Sequence, residues 1–214
     1  FPHQELNDIG YTAAIHGQKG LNGVAFLSKE PARNVVTGYL PDWPVDCRVI
    51  RADFGDYTFI NTYIPNGTVV GIDKWDYKMR WLDAFPEYLS SFATPQDPLV
   101  WLGDINVAPG EIDVHDHRKL LGQVGHHPDE FTRLDKIVNW GWTECFRKQH
   151  PEAGHYTFWD FRVPKAYERG LGWRIDHVYV TEPVLPKTGD CWVDAHLRIR
   201  DRPSDHAPIL IRLA

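Results

Sequence analysis

Arg48-Val49-Ile50-Arg51-Ala52-Asp53-Phe54-Gly55-Asp56-Tyr57-Thr58-Phe59-Ile60-Asn61-Thr62-Tyr63-Ile64 is rich in β-branched and aromatic residues on both sides of Gly55-Asp56. It reads as two strands joined by a hairpin turn. Further along, Trp75, Met79, Leu82, Phe85 and Leu89 recur at near-helical spacing, which predicts an amphipathic helix over Asp73 to Ser91. Pro86 falls inside that helix and is expected to kink or split it. Leu99-Val100-Trp101-Leu102 is an apolar strand closed by Gly103-Asp104. Pro128, followed by Asp129 and Glu130, opens a second helix that Gly141 closes. Gly23 to Ser28 predicts a buried strand, and Ile175 to Val180 and Pro208 to Leu213 predict two more. Strands outnumber helices, and both hairpin and helical connections occur. A β-sandwich flanked by helices fits this better than a parallel sheet.

The 214 residues include 23 Lys and Arg against 29 Asp and Glu, a net charge of −6, which excludes nucleic-acid binding through bulk positive charge. A local basic rim around an acidic site remains compatible with that total. The abundant aromatics exclude a disordered chain, and no apolar run approaches the roughly 20 residues that cross a bilayer. Cys47, Cys145 and Cys191 are odd in number and far apart, which points to a reducing compartment rather than a disulfide framework. The opening Phe1-Pro2-His3-Gln4-Glu5-Leu6 has neither the basic nor the apolar region of a signal peptide.

Five short sets carry candidate chemistry. Asp104 and Asn106, two apart after a buried strand, present a carboxylate and an amide on one face, suited to a metal-bound water or a phosphoryl oxygen. Asp205-His206 precedes the last strand and offers a metal ligand or a charge stabiliser. Asp176 enters a strand beside apolar neighbours, where a carboxylate needs a partner, and His206 is the natural one. Tyr63 and Asn66 supply a hydroxyl and an amide suited to phosphate. Tyr156-Thr157-Phe158-Trp159-Asp160, with Trp173 nearby, carries clustered aromatics that could stack on a base or line a sugar pocket. Taken singly, each set also reads as a turn or as core packing. His115, His117, His126 and His127 have no site-like spacing, and His126-His127 reads as surface ahead of a helix.

In combination the sets are more specific. Asn-x-Tyr-x-Pro-Asn at Asn61 to Asn66, Gly-Asp-x-Asn at Gly103 to Asn106, Trp-Arg-Ile-Asp at Trp173 to Asp176 and Ser-Asp-His-Ala-Pro at Ser204 to Pro208 resemble the exonuclease III family. These are Mg2+-dependent DNA-repair nucleases and AP endonucleases within the endonuclease/exonuclease/phosphatase superfamily. His16 to Gly20, Gly23 to Ser28 and Tyr156 to Trp159 extend the resemblance over essentially the whole chain. It implies an α+β fold, a four-layer α/β sandwich with two packed, mostly antiparallel sheets between helices, formed by residues 1–214 as one domain.

Residue by residue, the resemblance makes Asp104 the carboxylate that orients or deprotonates the attacking water, with Asn106 beside it. His206 would contact the scissile phosphate, oriented by Asp176, and Tyr63 would lie near the leaving group. Asn66 would touch the phosphate backbone, and Phe158, Trp173 and Ile175 would receive an abasic sugar. Asp104, Asn106, Asp205 and His206 are the implied metal residues, with Mg2+ as cofactor and Mn2+ as an alternative. The implied partner is duplex DNA with abasic sites or 3′ ends, bound by a monomeric cytoplasmic protein of bacterial type on the nucleoid, with no membrane. Other readings are a superfamily phosphoesterase acting on a small phosphate ester or lipid, and an inactive DNA-binding fragment.

The family pattern begins earlier. A strand carrying Trp-Asn-x-Asn, a helix and a strand ending in Gln-Glu precede the match to Phe1-Pro2, and that Glu is a metal ligand. Glu5 lies after the matching point. This predicts a parent protein about forty residues longer.

Overall fold

The computed structural model describes residues 1–214. Its strands are β1 (Thr12–Gly17), β2 (Gly23–Ser28), β3 (Arg33–Thr37), β4 (Val49–Phe54), β5 (Tyr57–Tyr63), β6 (Leu99–Asp104), β7 (Trp142–Glu144), β8 (Asp176–Thr181), β9 (Thr188–Val193) and β10 (Ile209–Leu213). Its helices are α1 (His3–Asp8), α2 (Asp73–Ser90), α3 (His117–Leu120), α4 (Pro128–Val138) and α5 (Cys145–Gln149).

The hairpin around Gly55-Asp56 forms as expected, pairing β4 with β5 from Val49↔Thr62 to Phe54↔Tyr57. It sits within a six-stranded sheet of order β3-β4-β5-β6-β8-β7. Only β5 and β6 run parallel, and α2 makes the crossover that such a pair requires. Alternation along β6 sends neighbours to opposite faces. Leu99 and Trp101 join the core beneath α2 and α4, with Ile60, Leu82, Phe85 and Leu134. Val100 and Leu102 face the other way, toward Val178, Phe146, Cys191 and Ile211.

The second sheet layer consists of two separate antiparallel ribbons, β1-β2 and β9-β10. The short α1 lies against β1. Within this layer β2 is less buried than its apolar sequence suggested, since Val24 alone is fully covered. The three cysteines are free and buried, and no helix is long and apolar enough to cross a membrane.

Two further expectations need correction. Pro86 does not split α2, which runs unbroken from Asp73 to Ser90. An interior proline costs about 3 kcal/mol. Trp81, Leu82, Phe85 and Leu89 are each at most 1% exposed, and burial of such side chains contributes about 1.5–3 kcal/mol apiece. Packing therefore outweighs the missing hydrogen bond to Leu82. His126 is fully buried rather than on the surface. Its Nδ1 lies 2.6 Å from the Ala108 carbonyl and its Nε2 lies 2.8 Å from His117 Nδ1. His127 is the N-cap of α4, accepting from the Asp129 amide at 3.1 Å, while Glu130 reaches back to the His127 amide at 3.0 Å.

Candidate active site

Three adjacent strands put their polar ends side by side. Tyr63 of β5 is in register with Asp104 of β6, and Asp104 is in register with Asp176 of β8. The apolar interior of each strand anchors it in the core, so these terminal side chains are held at one end of the sheet. Gly103 is required there. Its φ is +132°, and a Cβ would fall 2.0 Å from the Thr62 carbonyl oxygen. Arg48 braces Tyr63 by donating to its carbonyl at 3.0 Å, with the guanidinium 4.7 Å from the ring centre.

Asp104 is held by Asn106, whose backbone N–H and side-chain Nδ2 donate to Oδ1 and Oδ2 at 2.9 Å each. Asn106 adopts a left-handed φ of 54°, a conformation that asparagine tolerates better than most residues. Its Nδ2 also donates to the Ile64 carbonyl, and its Oδ1 accepts from Asn66 Nδ2, both at 2.9 Å. The Asn106 amide is thus committed within the protein and aims Asp104. Asn66 is exposed and additionally accepts from the Thr68 amide at 3.1 Å, so one N–H remains free.

The turn before β10 brings His206 to the same place. Its Nδ1 lies 2.8 Å from Asp176 Oδ2. Burial works to lower the His206 pKa, but the hydrogen bond and charge of Asp176, with Asp104 and Asp205 behind it, raise it to about 9. The ring is therefore a cation at neutral pH. A protonated imidazole has no lone pair to give a metal, so in this state both ring nitrogens of His206 are donors, and the ligand role that the resemblance also implied requires the ring to lose a proton. Burial, then the Asp176 charge, pushes Asp104 up to about 7.

Phe158, Trp173 and Ile175 come together as expected. Phe158 bridges both Trp173 and His206, its ring centre lies 4.9 Å from that of His206, and all three apolar residues share one cluster with Ala108 and Val114. Asp205 is half-buried beside His206, its carbonyl accepting from the Trp159 amide at 2.9 Å.

Sequence reasoning missed several supports. Thr157 is fully buried, and its Oγ1 accepts from the amides of Ile175 and Asp176 at 3.1 and 3.0 Å. Lys78, also fully buried, donates to the Asn106 carbonyl at 2.8 Å, to the Asn66 carbonyl at 3.2 Å and to Glu130. Burial lowers its pKa, against the charge of Glu130. Lys78 lies three residues after Trp75 and four before Leu82, within the apolar stripe of α2, and that position was the available signal. Arg174, 1% exposed, ties the segment before Asp176 to Asp113 at 2.8 Å and to Glu144 at 2.6 Å.

Residues 2–206 match the model of the endonuclease/exonuclease/phosphatase family. The chain belongs to that family. Among curated relatives, exodeoxyribonuclease III of Haemophilus influenzae is 30% identical, over 98% of this chain and 83% of its own length. An AP endonuclease from Archaeoglobus fulgidus has a solved structure that superposes with a TM-score of 0.94 at 39% identity, covering 100% of this chain and 83% of that one. The 3′ phosphatase NExo from Neisseria, solved with a product DNA hairpin, superposes at 0.95 with 34% identity and the same coverage. The sheets flanked by helices are the α/β sandwich that these enzymes share.

The acidic end of the sheet suits a cation in its chemistry. Its carboxylates are hard oxygen donors; Asp104 and Asp176 lie in register on adjacent strands, and the Asp176 charge adds to burial in raising the Asp104 pKa. Asp104, Asp205 and His206 do not close into a three-ligand cage. The one group of three His, Asp or Glu residues with converging ligand atoms lies elsewhere, at His150, Glu152 and His155. Mg2+ needs no such cage, since it commonly binds one or two carboxylates together with substrate phosphate.

Proposed function

We propose that this chain is a DNA-repair nuclease of the exodeoxyribonuclease III and AP endonuclease type, hydrolysing phosphodiester bonds in duplex DNA at abasic sites and 3′ ends. The observation that carries it is the convergence of Tyr63, Asp104 and Asp176 on three adjacent strands with the Asp176–His206 pair. The family membership and the enzymes named above support the same reading.

Asp104 aligns a water in line with phosphorus and accepts its proton. A carboxylate with a pKa of about 7 suits that role better than an ordinary one. Asn106 fixes its two oxygens and Lys78 fixes the Asn106 backbone. Asp176 holds the His206 ring through Nδ1, which leaves the Nε2 N–H to donate to a non-bridging phosphate oxygen as negative charge grows there. The Tyr63 hydroxyl donates to the departing 3′ oxygen. Asn66 contributes its free N–H to the DNA backbone. Phe158, Trp173 and Ile175 form an apolar surface beside His206 for a deoxyribose lacking its base. Asp104 and Asp205 would hold Mg2+, which supplies charge neutralisation at the phosphate when bound. No covalent intermediate is required. The protein acts as a monomer on nucleoid DNA in the cytoplasm.

The test is nicking of an abasic duplex by the purified chain with Mg2+. EDTA-sensitive cleavage at the abasic site, with no hydrolysis of inositol phosphates, is expected. Hydrolysis of small phosphate esters in preference to DNA, or retention of DNA without cleavage, would reject the proposal.

A further inference from the structure

We infer that His150, Glu152 and His155 form a separate binding site for a Zn2+-class transition ion, on the loop between α5 and the segment that leads to Phe158. Their ligand atoms all lie within 4.8 Å of one another. Glu152 Oε1 is 2.7 Å from His155 Nε2 and 3.5 Å from His150 Nδ1. A tetrahedral ion with bonds of about 2.0–2.1 Å holds neighbouring ligand atoms about 3.3 Å apart. Both nitrogens therefore already stand close to metal spacing from the same oxygen.

The tautomer of His150 is fixed for this use. Its Nε2 lies 2.8 Å from the Cys191 carbonyl oxygen of β9, which can only accept. That nitrogen therefore carries the hydrogen, and in the neutral ring the lone pair sits on Nδ1, the atom that faces Glu152. Phe146 stacks on the His150 ring at 4.5 Å between centres and limits its rotation.

The backbone between the ligands is also clamped. Arg147 Nη1 donates to the carbonyls of both His150 and Glu152, at 2.8 and 2.6 Å. Arg147 is itself held by Asp113, through Nε at 3.0 Å and Nη2 at 2.7 Å. An exposed His–Glu pair alone would need none of this. Two imidazoles and one carboxylate select Zn2+ or a neighbour such as Co2+ or Cu2+ over Mg2+, which prefers oxygen donors. Glu152 is exposed to solvent, so a fourth position opens to water. Binding there would tie the loop to β9 through His150.

The test is titration of the metal-free chain with Zn2+ alone by calorimetry, and with Co2+ alone by visible absorption. The expected results are tight binding at this site, tetrahedral Co2+ bands, and a rise in melting temperature with Zn2+. His150→Ala, His155→Ala and Glu152→Gln should each weaken binding at least tenfold and erase the Co2+ bands, with unchanged circular dichroism. Asp104→Asn should keep both signals. The same Zn2+ affinity and Co2+ spectrum in both histidine variants, or no Co2+ bands in the parent chain, would overturn the inference. His155→Ala should still nick abasic DNA with Mg2+, so the outcome is independent of the nuclease proposal.

Discussion

His206 Nδ1 sits 2.8 Å from Asp176 Oδ2, joining the turn before β10 to the first residue of β8. This contact ties the second layer to the six-stranded sheet at the end that carries Tyr63 and Asp104. It also makes the His206 charge a property of the fold, present only when the two segments meet.

The pair should be visible in titration. The folded His206 pKa is raised to about 9, against about 6.5 for an unperturbed histidine. A group raised in the folded state contributes stability that is full below the unfolded value and is lost as pH rises through the folded one. Metal-free protein should therefore lose melting temperature between about pH 6.5 and 9. In Asp176→Asn, imidazole NMR should show His206 titrating well below 9, and that part of the stability loss should shrink. Titration of His206 near 9 in the variant would contradict this account.

Asp104→Ala and His206→Ala should each lower the nicking rate of abasic DNA by about 10²–10⁴, the range for a positioned acid or base. Folding should survive, because both residues are only partly buried, at the open strand ends and not in the apolar core. Steady-state kinetics with circular dichroism checks this. Near-normal turnover in either folded variant would remove that residue from the mechanism.

Asp104, Asp176 and His206 were legible in the sequence because each is a polar residue flanking an apolar strand, where a strand end gives it a direction. The hairpin at Gly55-Asp56 and the capped α4 were legible for similarly local reasons. The roles of the two asparagines were less so. Asn106 and Asn66 look like substrate donors in sequence, yet the Asn106 amide is committed to Asp104 and Ile64, and Asn66 spends one of its two N–H groups on Asn106. The division of the second layer into two ribbons, the burial of His126 and the continuity of α2 through Pro86 depend on packing between distant segments. No local pattern records those.

Lys78→Met tests the buried support. Removing one partner of a buried ion pair costs about 3–5 kcal/mol, because the other charge is left uncompensated. Glu130 would keep its bonds from the amides of Gly125 and His127, both at 3.0 Å, but would lose its cation. Denaturant unfolding should show a loss in that range, and Lys78→Met with Glu130→Gln should recover part of it. The single variant should also lower the nicking rate, since the Asn106 carbonyl loses its anchor.

Gly103→Ala should fail to give the native fold. The new Cβ would lie 2.0 Å from the Thr62 carbonyl oxygen and 2.9 Å from Asn61 Oδ1, at a φ of +132°. The clash falls on backbone in the β5–β6 pairing, so no side-chain rotation relieves it. A loss above about 4 kcal/mol, the range of exceptional single substitutions, should appear as poor soluble yield or a collapsed denaturation midpoint. A stable, active alanine variant would show that β6 does not carry Asp104 in this way.

Thr157→Val separates positioning from chemistry. Valine matches threonine in shape but removes the Oγ1 acceptor, leaving the amides of Ile175 and Asp176 without their partner in a buried position. An unsatisfied buried group costs about 1–3 kcal/mol, and denaturant unfolding should report a loss of that size. Those amides also set where β8 begins, so the Asp176 carboxylate should shift relative to His206. Two effects should then appear together: a drop in the nicking rate of about tenfold, and a fall in the His206 pKa from about 9 toward the ordinary value of about 6.5. Thr157→Ser keeps the hydroxyl and should restore both. If valine lowered stability but left the rate and the His206 titration unchanged, Thr157 would be a structural threonine only, and the placement of Asp176 would rest on its register with Asp104 alone.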